Sequence, residues 1–236
     1  MVTIHRLDRS KGLDLILHTP GGELAAAESM VDYLQSMFGK DIRAIIPQIS
    51  MSAGTLIALS CKEIMMGKQS NLGPIDPQMG GIACQAVIDE FEYAKKDIRA
   101  NPGSALLWQT IIGKYHPTFL GACQHAIDWS EKLAEEWLTQ NMCKGDINKA
   151  KRILKEFSDH KTHKSHSRHI SKARCAQIGV SIIDMETDNE FQDRILTTHH
   201  AFMHTLVHSQ VSKIVENHLG IAYIESDLVP VPLVKP

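Results

Sequence analysis

No run of about 20 apolar residues occurs in this chain, so no segment reads as a helix long enough to cross a bilayer. An excess of charge is also missing. The 25 Lys and Arg residues stand against 27 Asp and Glu, which argues against the basic footprint of a nucleic-acid or anionic-membrane binder. Cysteine is sparse and unpatterned: Cys61, Cys84, Cys123, Cys143 and Cys175 are odd in number and form no C-x-x-C pair. That disfavours a disulfide framework and a zinc site, and fits buried free thiols in a reducing compartment. Aromatic residues make up only 6% of the chain, and Trp108, Trp129 and Trp137 read as core or interface positions rather than base-stacking platforms. The opening "MVTIHRLDRSKG" lacks the apolar stretch of a secretory signal. The expectation is a soluble, cytoplasmic protein with no membrane span and no nucleic-acid partner.

What is present is a chain of 236 residues, enough to bury a sizeable core in one large domain. "GLDLILHT" (12–19) is a short apolar run that stops at Pro20-Gly21-Gly22, the pattern of a buried strand ending in a tight turn. Leu24, Ala27, Met30, Val31 and Leu34 then recur at helical spacing before Gly39. "IRAIIPQI" (42–49) is the next strand, 53–59 a short helix and "EIMMG" a third strand. This alternation predicts parallel α/β units. A polar turn is expected over 68–81, and a helix from Ile82 with Ala86, Val87, Phe91 and Ala94 on one face. A longer helix carries Phe119, Cys123, Ile127, Ser130, Ala134, Trp137 and Leu138, and Asp146 caps another over "INKAKRILKEF". A His-dense loop (158–171), a short helix-turn-strand and a final helix from Asn189 to about His218 complete the reading, with the Pro-rich end loosely held. One domain, 1–236, is therefore expected: a core (1–81), a helical region (82–157), a His-bearing loop with the last core element (158–185), and a C-terminal helix and tail (186–236).

Two turns carry the chemistry. "HTPGGE" ends one strand and "SMSAGT" the next, and neighbouring parallel strands end on one side, where α/β sheets bind ligands. Gly21 and Gly22 allow backbone N–H groups to approach a ligand. Ser52 stands at the start of a helix, with the positive end of the helix dipole beneath it. The N–H of Ala53 and that of Gly21 or Gly22 can converge on one oxygen, which is the layout of an oxyanion hole. On its own, Ser52 reads equally well as an ordinary N-cap.

The stretches "LDLILHTPGGELAAAESMVDYL" and "IRAIIPQISMSAGTLIALSCKEIMMGKQSNLGPIDPQ" resemble the Clp-type serine peptidases: the Clp proteolytic subunit, signal peptide peptidase A and, most closely, the serine dehydrogenase proteinase family. The resemblance covers 13–78 well and 165–183 moderately. It implies an α/β Clp protease/crotonase-like fold of ββα units, here with an added helical arm and C-terminal helix. It further implies a serine peptidase with Ser52 as nucleophile, and Gly21, Gly22 and Ala53 at the oxyanion hole. The order Ser, Asp, His described for the closest family points to Asp76 and to the segment Ser165-His166-Ser167-Arg168-His169-Ile170. There the register selects His166, with His169 as the alternative; the Asp that commonly follows this histidine is Ser167 here. Homo-oligomers acting on peptide or protein substrates are implied too, and the proposed chemistry needs no cofactor or metal. The chain opens almost at the Gly-Gly strand, so either an earlier unit is missing or a partner subunit covers the strand edge.

Rival readings remain. A Ser-Lys dyad, as in signal peptide peptidase A, would use Lys95 or Lys96, provided that the lysine is desolvated. A crotonase-like acyl-CoA enzyme would use the same oxyanion hole without a nucleophilic serine. A non-catalytic oligomeric scaffold would use neither. His200, His204 and His208, beside His199, repeat every four residues; the expectation is a satisfied or interface face rather than a metal site.

Overall fold

The structure is a computed structural model, described here for residues 2–159 and 168–227. These residues form two compact units, 13–184 and 1–12 with 185–236.

The larger unit is a mixed α/β structure around a four-stranded parallel sheet. Its strands β1 (Leu13–Ile16), β2 (Ile42–Ile46), β4 (Glu63–Met66) and β9 (Ile182–Asp184) lie in the order β1-β2-β4-β9. Ala44, Ile45, Ile46, Ile64 and Met66 in the central strands are fully buried, as the near-continuous apolar runs of a two-sided parallel sheet require. Helix α1 (Leu24–Phe38) turns Ala27, Val31, Leu34 and Phe38 inward, and α2 (Ala53–Leu59) has no polar face: all seven residues are buried. Asp146 caps α6 (Ile147–Ser158) as expected, its carboxylate accepting the Lys149 N–H at 2.9 Å. α5 (Phe119–Gln140) packs against α6 and α3 (Cys84–Ala100).

A second, smaller sheet holds β3 (Ile49–Ser50), β5 (Asn71–Leu72) and β8 (Ile170–Ser171) in the order β3-β5-β8, the first pair parallel and the second antiparallel. The stretch expected as a plain turn over 68–81 thus contains β5, and its end joins a hairpin of β6 (Gln78–Met79) and β7 (Ile82–Ala83). Gly80 and Gly81 both adopt positive φ, +60° and +78°, the backbone that a two-residue hairpin loop needs. Ile82 therefore belongs to a strand, and the helix begins two residues later at Cys84. The linking stretch before Pro117 also holds a helix, α4 (Ala105–Ile112), and α7 (Lys172–Ile178) precedes β9.

The other unit contains α8 (Asn189–His208), capped by Asp188, whose side chain accepts the Phe191 N–H at 2.9 Å. The helix expected to reach His218 stops there. Residues beyond it form an antiparallel hairpin of β10 (Val211–Glu216) and β11 (Ala222–Ser226), so Val215 lies on a strand. The β-branched residues Val211, Ile214 and Val215, followed by the Asn217–Gly220 turn, explain the switch. The Asn217 side-chain amide donates to the Thr3 carbonyl at 2.6 Å, tying the N-terminal segment to this hairpin.

Candidate active site

One row of the small sheet gathers the segments that the sequence reading singled out. Thr19 bridges to Ser50, Ser50 pairs with Leu72, and Leu72 pairs with Ile170. Beyond Thr19 the chain runs into Gly21 and Gly22; beyond Ser50, into Ser52; beyond Leu72, into Asp76. Because β8 is antiparallel to β5, the residues before Ile170 leave the row on that same side, and His169 is the first of them. His166 lies outside the described residues.

Ser52 occupies the N-cap position of α2, yet its side chain makes no capping hydrogen bond. Its backbone has φ 52° and ψ −118°, a region where a non-glycine residue carries about 1–3 kcal/mol of strain. A serine kept only to cap a helix would show the reverse: relaxed extended backbone and a bonded hydroxyl. The Met51 carbonyl accepts the Gly54 N–H at 2.8 Å and the Ser52 carbonyl accepts the Leu56 N–H at 3.1 Å. Ala53, first in the helix, has an N–H that the helix does not use.

Gly21 lies directly against Ser52 with φ +116°. Its N–H donates to the Thr19 hydroxyl at 3.0 Å. Of the two glycines that the sequence left open as donors, Gly21 is therefore already engaged, whereas the Gly22 N–H has no acceptor among the described residues. Thr19 and Thr55 are two residues that sequence reasoning missed. Thr55 is fully buried in α2; its hydroxyl lies 2.7 Å from the Ser50 carbonyl and 2.9 Å from that of Gly73, and accepts the Gly73 N–H at 3.0 Å. It thereby locks the helix behind Ser52 to the start of the Asp76 segment. Both threonines stand inside the two turns singled out from the sequence, "HTPGGE" and "SMSAGT", but nothing local in those turns assigned them a role.

Asp76 is 7% exposed, buried rather than displayed on a solvated turn. The Ile75 N–H donates to the Phe157 carbonyl at 2.9 Å, so the Asp76 segment is tied to the end of α6, where the His-bearing stretch begins. The nearby Cys84 thiol is pushed up to about 12, first by burial, then by Cys123 and by the charge of Asp76. All five thiols are buried, and burial also raises Cys61 and Cys175 to about 12. A thiolate nucleophile is thus disfavoured at these positions.

The remaining candidates are exposed to solvent, His169 among them. Lys95 and Lys96 are exposed on α3, and Lys95 pairs with Glu92 at 2.7 Å, so neither lies in the dry surroundings that a lysine base needs. No group of three or more metal-ligating side chains occurs among the described residues. No helix there is long and apolar enough to cross a membrane.

The family model for ClpP-like SDH-type serine proteinases matches residues 2–192, and the chain belongs to that family. Two relatives come from Methanocaldococcus jannaschii. The uncharacterized protein MJ1495 is 34% identical over 146 residues, 62% of this chain and 44% of its own length. The uncharacterized protein MJ0137 is 37% identical over 94 residues, 40% of this chain and 32% of its own. The chain thus matches less than half the length of either relative.

Proposed function

We propose that this member of the ClpP-like SDH-type serine proteinase family is a serine peptidase that cleaves peptide bonds through an acyl-enzyme on Ser52. The observation that carries the reading is the row Thr19, Ser50, Leu72, Ile170, from which the Gly-Gly turn, Ser52, the Asp76 segment and His169 all leave on one side. His166 takes the Ser52 hydroxyl proton while Oγ bonds to the substrate carbonyl carbon. The oxyanion forms against the N–H groups of Gly22 and Ala53, with Gly21 shaping the turn between them. Asp76 holds the imidazole in the tautomer that accepts this proton. When the C–N bond breaks, the imidazolium returns the proton to the leaving amine. Water then attacks the ester, giving its proton to His166, and Ser52 is released with its own proton restored.

The Clp protease/crotonase-like arrangement of ββα units belongs to the same reading, as does assembly into homo-oligomers through the helical arm and the C-terminal region. The rival bases fit less well: both lysines are exposed, and His169 stands only one residue from its strand.

Intact-mass measurement after fluorophosphonate treatment tests the proposal. One phosphonyl adduct on the wild type, absent from Ser52→Ala, is expected. Labelling should slow on the order of 10⁴-fold in His166→Ala and in Asp76→Asn, but not in His169→Ala. Folded protein that forms no adduct would sink the peptidase reading and leave the acyl-CoA enzyme or the scaffold.

A further inference from the structure

The last helix carries a feature unrelated to the Ser52 site. α8 buries Ile195 and His199, and half-covers Phe202 and Leu206. At 3.6 residues per turn, His200, His204 and His208 project on the opposite side, and all three are exposed. His204 and His208 are in contact, their ring centroids 4.4 Å apart and their planes at 52°. The row is therefore not a face satisfied by packing.

This spacing suits chelation. Metal–imidazole nitrogen bonds are about 2.1 Å, which puts two imidazoles on adjacent positions of one ion with centroids roughly 4.5 Å apart. The place in the helix favours a cation as well. His208 is the final residue of α8, where unpaired carbonyls and the negative end of the helix dipole lie. Two neutral imidazoles select borderline ions such as Zn²⁺, Ni²⁺ and Cu²⁺ over Mg²⁺ or Ca²⁺, which prefer oxygen.

We propose that His204 and His208 form a two-histidine site for a divalent transition-metal ion, with its other positions open to water. The ion pins the last two turns of α8 immediately before the β10–β11 hairpin. Binding only to the folded chain, it stabilises that end of the helix.

Isothermal titration of the full chain with Ni²⁺ alone, on protein stripped by chelator and carrying no added histidine tag, provides the test. Native mass spectrometry of the same samples gives the stoichiometry. Saturable binding of one ion per chain is expected. His204→Ala should weaken it about 100-fold or more, since it leaves no two histidines of the row four residues apart and so removes the gain from two linked ligands. A His160→Ala/His163→Ala variant should bind as the wild type does. Both variant positions in α8 are exposed, and unchanged circular dichroism verifies folding. The proposal is overturned by absence of saturable binding to the wild type, by unchanged affinity in the His204→Ala/His208→Ala double variant, or by one ion per two chains.

Discussion

A Cβ built on Gly21 would stand 2.8 Å from the Ser52 Cβ and 3.4 Å from its Oγ. The glycine is fixed twice, by that approach and by φ +116°, which L side chains rarely adopt. Gly21→Ala should therefore displace the serine or unfold the turn. Fluorophosphonate labelling is expected to fall by about 100-fold or more, with a stability loss of about 1–3 kcal/mol. Labelling rates and urea midpoints measured together check this, and an alanine variant that labels normally would contradict the geometry.

Thr19 acts through Gly21. Removing its hydroxyl in Thr19→Val leaves the Gly21 N–H without its acceptor, at about 1–3 kcal/mol. The freed N–H no longer holds the turn that presents Gly22. Thr19→Ser keeps the oxygen and should label within a few-fold of the wild type. Equal labelling rates in the valine and serine variants would remove Thr19 from this positioning role.

The five cysteines give a direct test of packing. Each is buried, and burial raises Cys61, Cys84 and Cys175 to about 12 and shifts Cys143 upward. Ellman's reagent should find almost no reactive thiol in the native protein and all five in denaturant. A fast-reacting native thiol would show that one of these pockets opens.

His18 lies just before the Gly-Gly turn, and partial burial lowers its pKa below the ordinary 6.5. As pH falls through about 6.5, the unfolded chain takes up this proton before the folded one does. Its contribution to stability is then full above that value and is lost as pH falls through the lower folded pKa. Urea midpoints between pH 7.5 and 5 should fall less steeply in His18→Gln than in the wild type; parallel slopes would exclude the effect.

The large sheet was legible because β2 and β4 are apolar on both faces, and such runs leave a strong pattern. The Gly-Gly turn and Ser52 stood out because each punctuates one of those runs. The small sheet was hidden: β3, β5 and β8 have two residues each, too few to show any period. Thr55 was invisible for a related reason, since its partner Gly73 is 18 positions away. The β10–β11 hairpin was mistaken for helix because Val215 also fits a helical repeat, and an exposed strand pair has no buried face to correct that reading. Asp76 was visible as a residue between two prolines, but only its burial separates it from an ordinary turn.

The small sheet has an implication for how this chain can change. Between Leu72 and Ile170 lies the whole helical arm, yet its two ends are hydrogen-bonded neighbours, stapled again where Ile75 meets Phe157. Closing a longer or shorter excursion between fixed ends changes the free energy only slowly with length. Insertions at exposed loop positions such as Pro102 and Gly103 can therefore lengthen the arm while both ends stay anchored, whereas Leu138, Ile153 and Phe157 hold its inner helices in the core.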